Sequence, residues 1–99
     1  MIAKLSLARH AINFDLEEMK TRVLFVCLGN ICRSPAAEAV FLNLLSMKGL
    51  TEHYLVDSAG TGAWHVGHQA DLRMRDAAKQ RGIKITSIAR QLEKKDFSF

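Results

Sequence analysis

Apolar positions along this chain fall into two unlike patterns, one continuous and one periodic. Arg22–Cys27 (RVLFVC) is a continuous run led by β-branched and aromatic residues. That is the pattern of a strand buried on both faces, as at the centre of a parallel sheet. Leu28–Arg33 (LGNICR) breaks the run with Gly29 and Asn30, which tolerate left-handed backbone. Ser34-Pro35 then opens a helix, with Ser34 as the expected N-cap and Pro35 in the first turn, where its missing N–H is not needed. Val40, Phe41, Leu44, Leu45 and Met47 give that helix a wide apolar face, and Gly49 after Lys48 is its stop signal. Tyr54–Val56 is the core of a second short strand ending at Asp57-Ser58-Ala59-Gly60. Residues 61–69, which include Gly62, Trp64, His65, Gly67 and His68, read as a loop. Asp71 is expected to cap a second helix running through Arg81, with Gly82 as its stop. Ile83–Leu92 is short and mixed, either a strand or irregular. The pattern strand, loop, helix, strand, loop, helix is the start of an α/β fold with a parallel sheet.

Residues 1–18 differ in character. Ile2, Leu5 and Ile12 give a faint helical stripe, and Asp15, Glu17 and Glu18 end it. The expected organisation is a weakly ordered extension over 1–19 followed by one domain over 20–99. Composition agrees with a single domain: 99 residues, 48% hydrophobic and 24% charged, exclude a disordered tail, a collagen-like repeat and a coiled coil. No uncharged apolar run of membrane-spanning length exists, so no membrane partner is expected. The net charge is +4, and residues 69–99 carry eight basic and four acidic residues. Such a surface suits anionic ligands, although the series Arg73, Arg75, Lys79 and Arg81 reads first as a solvated helix face. It has no interleaved aromatics, so no nucleic-acid partner is expected. Two cysteines, Cys27 and Cys32, are too few for a disulfide-stapled scaffold, and no signal peptide is legible. A reducing, cytoplasmic setting is the default. Two cysteines without a nearby histidine do not close a zinc site, so no metal and no cofactor are expected.

The chemistry concentrates in Cys27–Ser34 (CLGNICRS), between a buried strand and a helix N-terminus. There the loop N–H groups and the helix dipole make an anion cradle before any side chain is considered. A cysteine in such a place has its pKa lowered and is largely thiolate. Arg33 can curl back and hold two oxygens of a tetrahedral oxyanion in a fork. Ser34 can cap the helix, donate to the thiolate, or both. These parts suit covalent phosphoryl transfer: thiolate attack on phosphorus, then hydrolysis of the thiophosphate by water. Cysteine, five residues, then arginine is common by chance; between an apolar strand and a Ser-Pro helix start it is specific.

RVLFVCLGNICRSPAAEAV, continued by VDSAGTGAWHVG, RGI, ARQL and KDF, resembles the low-molecular-weight protein-tyrosine phosphatases over residues 20–99. The resemblance implies a Rossmann-like three-layer α/β/α fold with a parallel sheet. It implies Cys27 as nucleophile and Arg33 as transition-state clamp. Leu28, Gly29, Asn30, Ile31, Cys32 and Ser34 become the phosphate-binding loop, with Asn30 and Ser34 holding the loop and the thiolate. Trp64 matches the aromatic wall of the substrate cleft, with His65 beside it. Cys32 matches a second cysteine that forms a reversible disulfide with Cys27. The implied partner is a phosphotyrosine-containing protein, with inorganic phosphate as product. Ile31 favours the tyrosine-phosphatase reading, since protein-arginine phosphatases of the family carry Thr there.

The chain also departs from that pattern. Family members are longer and place a general-acid Asp in an Asp-Pro-aromatic motif near the C-terminus. Asp57, Asp71, Asp76 and Asp96 do not stand in such a motif, so no residue inherits the acid role and impaired turnover is expected. Without the family's later strands and helices, the strand at 22–27 should be exposed along an edge and the first helix half-uncovered. Two alternatives stay open: a non-catalytic remnant that binds phosphate or phosphotyrosine, and an arsenate reductase of the same fold.

Overall fold

A computed structural model of the chain describes residues 2–7 and 19–98. Its strands are β1 (Ile2–Leu7), β2 (Thr21–Cys27) and β3 (Tyr54–Gly60), and its helices α1 (Arg33–Met47) and α2 (Leu72–Lys79). Short 3-10 turns cover Thr51–His53 and Lys94–Phe97. The sheet order is β1-β2-β3. β2 and β3 are parallel, in register from Thr21 opposite Tyr54 to Cys27 opposite Gly60. This parallel pair, crossed over by α1, is the core of the expected Rossmann-like α/β arrangement.

Strand alternation decides which side chains meet α1. Phe25 of β2 and Tyr54 of β3 both project onto that face and sandwich Phe41. The ring centroids are 5.8 Å apart for Phe25–Phe41 and 5.6 Å for Phe41–Tyr54, both edge-on. Such pairs contribute about 0.5–1.5 kcal/mol each beyond their buried area. Val23 and Leu45 are buried in the same layer. Nearer the start of α1, Ala39 packs with Ala70 and Ile85, and Ala36, Met74, Ala78 and Ile83 close around them. Small side chains at this contact let α2 approach α1. Of the five apolar positions expected to face the core from α1, only Phe41 and Leu45 do; Val40, Leu44 and Met47 are exposed. The helix is half-uncovered, as the sequence led one to expect.

The opposite face of the sheet carries Leu24 and Leu55 at the floor of a hollow of about 290 Å³, rimmed by Arg22, Asp57, Arg90 and Asp96. Arg90 reaches Asp57 Oδ2 and Asp96 Oδ1, each at 2.9 Å, and so ties the segment after Ile88 to β3. The Arg90 side chain bond, against the effect of burial, holds the Asp96 carboxyl below its ordinary range. Among the described residues no helix covers this face, so two of the three expected layers are present there.

Four expectations are corrected. The stripe through Ile2 and Leu5 is not helical: Ile2–Leu7 is a strand, paired antiparallel with β2 from Ile2 opposite Val26 to Leu7 opposite Thr21. Lys4-Leu5-Ser6-Leu7 alternates polar and apolar, and β2 has a free edge whose backbone groups such a segment satisfies. Ile12, and most of the 1–19 extension, lie outside the described residues. In consequence β2 is not exposed along an edge, since it has a strand on both sides. Ser34 is not the N-cap of α1; Cys32 is, with no side-chain capping bond. Finally, α2 ends at Lys79 rather than Arg81. The chain turns there through Gly82, whose φ of 75° is natural for glycine.

Candidate functional site

The Cys27–Ser34 segment leaves the C-terminal end of β2 and enters α1, so the loop hangs over the end of the parallel pair. Three of its carbonyls are turned away and bonded. Thr61 N–H donates to Cys27 O at 2.9 Å, Gly62 N–H to Leu28 O at 2.8 Å, and Asp71 N–H to Ile31 O at 2.6 Å. The segments after β3 therefore hold the outside of the loop. Among the described residues, the N–H groups of Ile31, Cys32 and Arg33 donate to nothing, and they sit at the start of α1. Unpaired N–H groups at a helix start are what an anion needs.

Asn30 is the keystone. It is only 2% exposed, and its φ of 53° lies in the left-handed region that Asn tolerates better than most residues. Its amide donates to Ser34 Oγ at 2.8 Å and to Ser58 Oγ at 2.9 Å, while its carbonyl accepts from Arg90 N–H at 2.9 Å. Gly60 makes room for it. A Cβ on Gly60 would stand 2.9 Å from Leu28 O and 3.1 Å from Asn30 N, both backbone atoms that cannot swing aside.

Ser34 is fully buried, and its oxygen lies 3.0 Å from Cys27 Sγ. The network leaves the Ser34 hydroxyl able to donate that bond. Ser58 hydroxyl donates to Glu38 Oε1 at 2.5 Å, so the Ser58 oxygen must accept from Asn30. Ser34 oxygen likewise accepts from Asn30, which leaves its own proton for the sulfur. Ser34 N–H also donates to Cys27 Sγ at 3.4 Å. Burial pushes the Cys27 thiol up. The Ser34 hydroxyl and the N–H groups of Ser34, Asn30 and Gly29 outweigh it and hold the thiol below its ordinary value. Ser34 thus forgoes the capping role and serves the sulfur instead. Burial also pushes the Glu38 carboxyl up; Asp57 adds to that, against the Ser58 bond, which acts the other way.

The other candidates surround this centre. Arg33, the first residue of α1, is exposed and forms no ion pair among the described residues. Leu28 is exposed and Ile31 half-buried. Cys32 is an exposed free thiol, and Cys27 is free and buried. His65 lies against Gly29, where an added Cβ would come within 3.0 Å of its Cδ2. Trp64 is 69% exposed and lays its ring over Gly62, where a Cβ would stand 1.9 Å from it. Sequence reasoning missed Glu38, Ser58 and Arg90 as supports of the loop. Glu38 stands four residues after Ser34, on the same face of α1, which is the one local signal it offered. Of the four aspartates among the described residues, Asp57 and Asp96 pair with Arg90, Asp71 caps α2 by accepting from Met74 N–H at 3.2 Å, and Asp76 lies within α2.

A buried thiol in a loop between a parallel strand and a helix N-terminus marks the site, and comparison with known proteins identifies the family. The profile of the low molecular weight phosphotyrosine protein phosphatases matches residues 22–99. The low molecular weight phosphotyrosine protein phosphatase of Schizosaccharomyces pombe is 53% identical over 77 residues, which are 77% of this chain and 49% of that protein. A crystal structure of a protein tyrosine phosphatase from Entamoeba histolytica superposes with a TM-score of 0.73 at 57% identity, covering 75% of this chain and 47% of that one. A drosophila arginine phosphatase superposes with a TM-score of 0.72 at 40% identity, covering 75% and 46%. The chain belongs to the low molecular weight phosphotyrosine protein phosphatase family. It spans about half the length of these phosphatases. No helix among the described residues is long and apolar enough to cross a membrane.

Proposed function

We propose that this chain carries the nucleophilic half of a protein-tyrosine phosphatase reaction. The observation that supports it most is the Cys27 sulfur, 3.0 Å from the Ser34 hydroxyl, whose proton is not spent on its bond from Asn30. The phosphoryl group of a phosphotyrosine enters the loop, with its oxygens on the free N–H groups and on Arg33. Cys27 thiolate attacks phosphorus, the S–P bond forms, and the P–O bond to the aryl group breaks. Water then attacks phosphorus, the S–P bond breaks, and inorganic phosphate leaves while the thiolate returns.

Among the described residues Asp57 and Asp96 are paired with Arg90 and Asp71 caps α2, so for these residues taken alone the proton on the leaving oxygen comes from solvent. The reading therefore carries a signature: rate falls steeply as the leaving group becomes more basic, by roughly 10²–10⁴ for an ordinary phenol. Trp64 and His65 form the wall of the cleft. Cys32 is the thiol that would close a disulfide on Cys27 after a peroxide has oxidised it to the sulfenic acid, with water leaving. Ile31 favours phosphotyrosine over phosphoarginine as substrate.

Rapid mixing with p-nitrophenyl phosphate tests the reading. A burst of nitrophenolate with one phosphorylated cysteine per chain is expected, absent in Cys27→Ser. Phosphate binding without a burst would leave a binding module in its place. Thiol-dependent turnover of arsenate would make it a reductase.

A further inference from the structure

Beyond the phosphatase loop, α2 and the irregular segment after Gly82 enclose a hollow of about 690 Å³. Arg75 and Lys79, four residues apart, stand on one face of α2, and Lys84 faces them from the other wall. Lys79 and Lys84 are exposed and have no carboxylate partner among the described residues, while Arg75 spends only its Nε, on Ala70 O at 2.9 Å. One carboxylate, Asp76, stands among the three cations. Half of the basic series that reads in sequence as a solvated helix face thus converges on one cavity, whereas Arg73, 94% exposed, pairs outside with Asp71.

A second observation is independent of charge. Residues 84–86 belong to no helix or strand, and no backbone hydrogen bond holds them among the described residues; the chain pairs again only where Ile88 bridges Gln69. Yet Ile85 in their midst is only 6% exposed. A run of unpaired backbone beside a cavity is the edge to which an extended peptide adds as a strand. Ile83 and Ile85 supply an apolar floor for alternate side chains of such a peptide, and the three cations take carboxylates from the others.

We propose that the hollow between α2 and residues 83–87 is a docking site for an acidic, extended peptide segment of a partner protein. The cations select it by charge, and the unpaired backbone of 84–86 binds its main chain. The site is separate from the Cys27 loop and does not depend on turnover.

The test is a titration of the ¹⁵N-labelled chain with an alternating glutamate–valine hexapeptide, alongside the matching threonine–valine peptide. Saturable shifts of the Lys84–Thr86 amides are expected, with a dissociation constant of about 10–500 μM that rises with salt. Lys84→Glu and the milder Lys84→Gln should weaken binding by about tenfold and threefold respectively, with the rest of the spectrum unchanged as the control for folding. Saturating orthophosphate, a ligand for the loop, should not displace the peptide. Four results would each overturn the proposal: no binding at millimolar peptide, equal binding of the neutral peptide, displacement by orthophosphate, or binding indifferent to both Lys84 variants.

Discussion

Two loops leave the same end of the parallel pair and are built on opposite terms. The loop from β2 to α1 is drawn tight. Asn30, Ser34 and Ser58 are buried and bonded to one another, and its outer carbonyls are held by Thr61, Gly62 and Asp71. The loop from β3 to α2 is open. Trp64 and Val66 are exposed there, and backbone bonds between Gly67 and Ala89 and between Ala89 and His68, each 2.8 Å, fasten its far part. A sulfur whose ionisation depends on hydrogen bonds needs donors fixed to a fraction of an ångström. If the open loop walls a substrate cleft, as proposed above, room to adjust serves it. The division also explains the polar core: three buried polar residues are tolerated because each hydrogen-bonding group finds a partner.

The contrast can be broken most severely at Gly60. Gly60→Ala drives a methyl into backbone atoms of the tight loop and should cost about 3 kcal/mol of stability, read by urea denaturation. Asn30→Ala comes next. It strands Ser34, Ser58 and the Arg90 N–H, and a loss of about 2–3 kcal/mol is expected, with loss of phosphate binding measured by calorimetry. Ser34→Ala should leave the fold largely in place but remove the strongest of the bonds that lower the Cys27 pKa. Burial then dominates and the pKa rises. The thiolate fraction at a given pH falls, so the pH profile of iodoacetamide alkylation moves to higher pH. An unmoved profile would mean that Ser34 only packs. Gly62→Ala, in the open loop, displaces the Trp64 ring rather than backbone. Stability should change by about 0.5 kcal/mol or less, while tryptophan emission and the KM for aryl phosphates shift.

Much of this was legible in the chain. The continuous run at 22–27 located β2 to within a residue and Gly49 marked the end of α1, because an apolar strand and a helix stop leave local marks; the start of α1 lies two residues before the one a Ser34 cap implies. Asp71 capped α2 as its position foretold. Ser34 was read as a cap because a hydroxyl ahead of a helix looks the same whether it turns to the backbone or to a thiol. Only the third dimension shows that Asn30 and Cys27 claim it. Glu38 and Ser58 were overlooked for a like reason, since their bond joins residues 20 apart in the chain. β1 escaped notice because what makes Ile2–Leu7 a strand is less its own weak alternation than the free edge of β2.

The direction in which β1 runs has a practical outcome. Because it is antiparallel, its first residue, Ile2, sits opposite Val26, next to Cys27, and its last, Leu7, sits opposite Thr21 at the far end. An affinity tag or fluorescent fusion placed ahead of Ile2 would thus emerge at the rim of the Cys27–Ser34 loop. A purification handle there would crowd any protein substrate, whereas one attached after Ser98 would leave from the segment that Arg90 ties to β3.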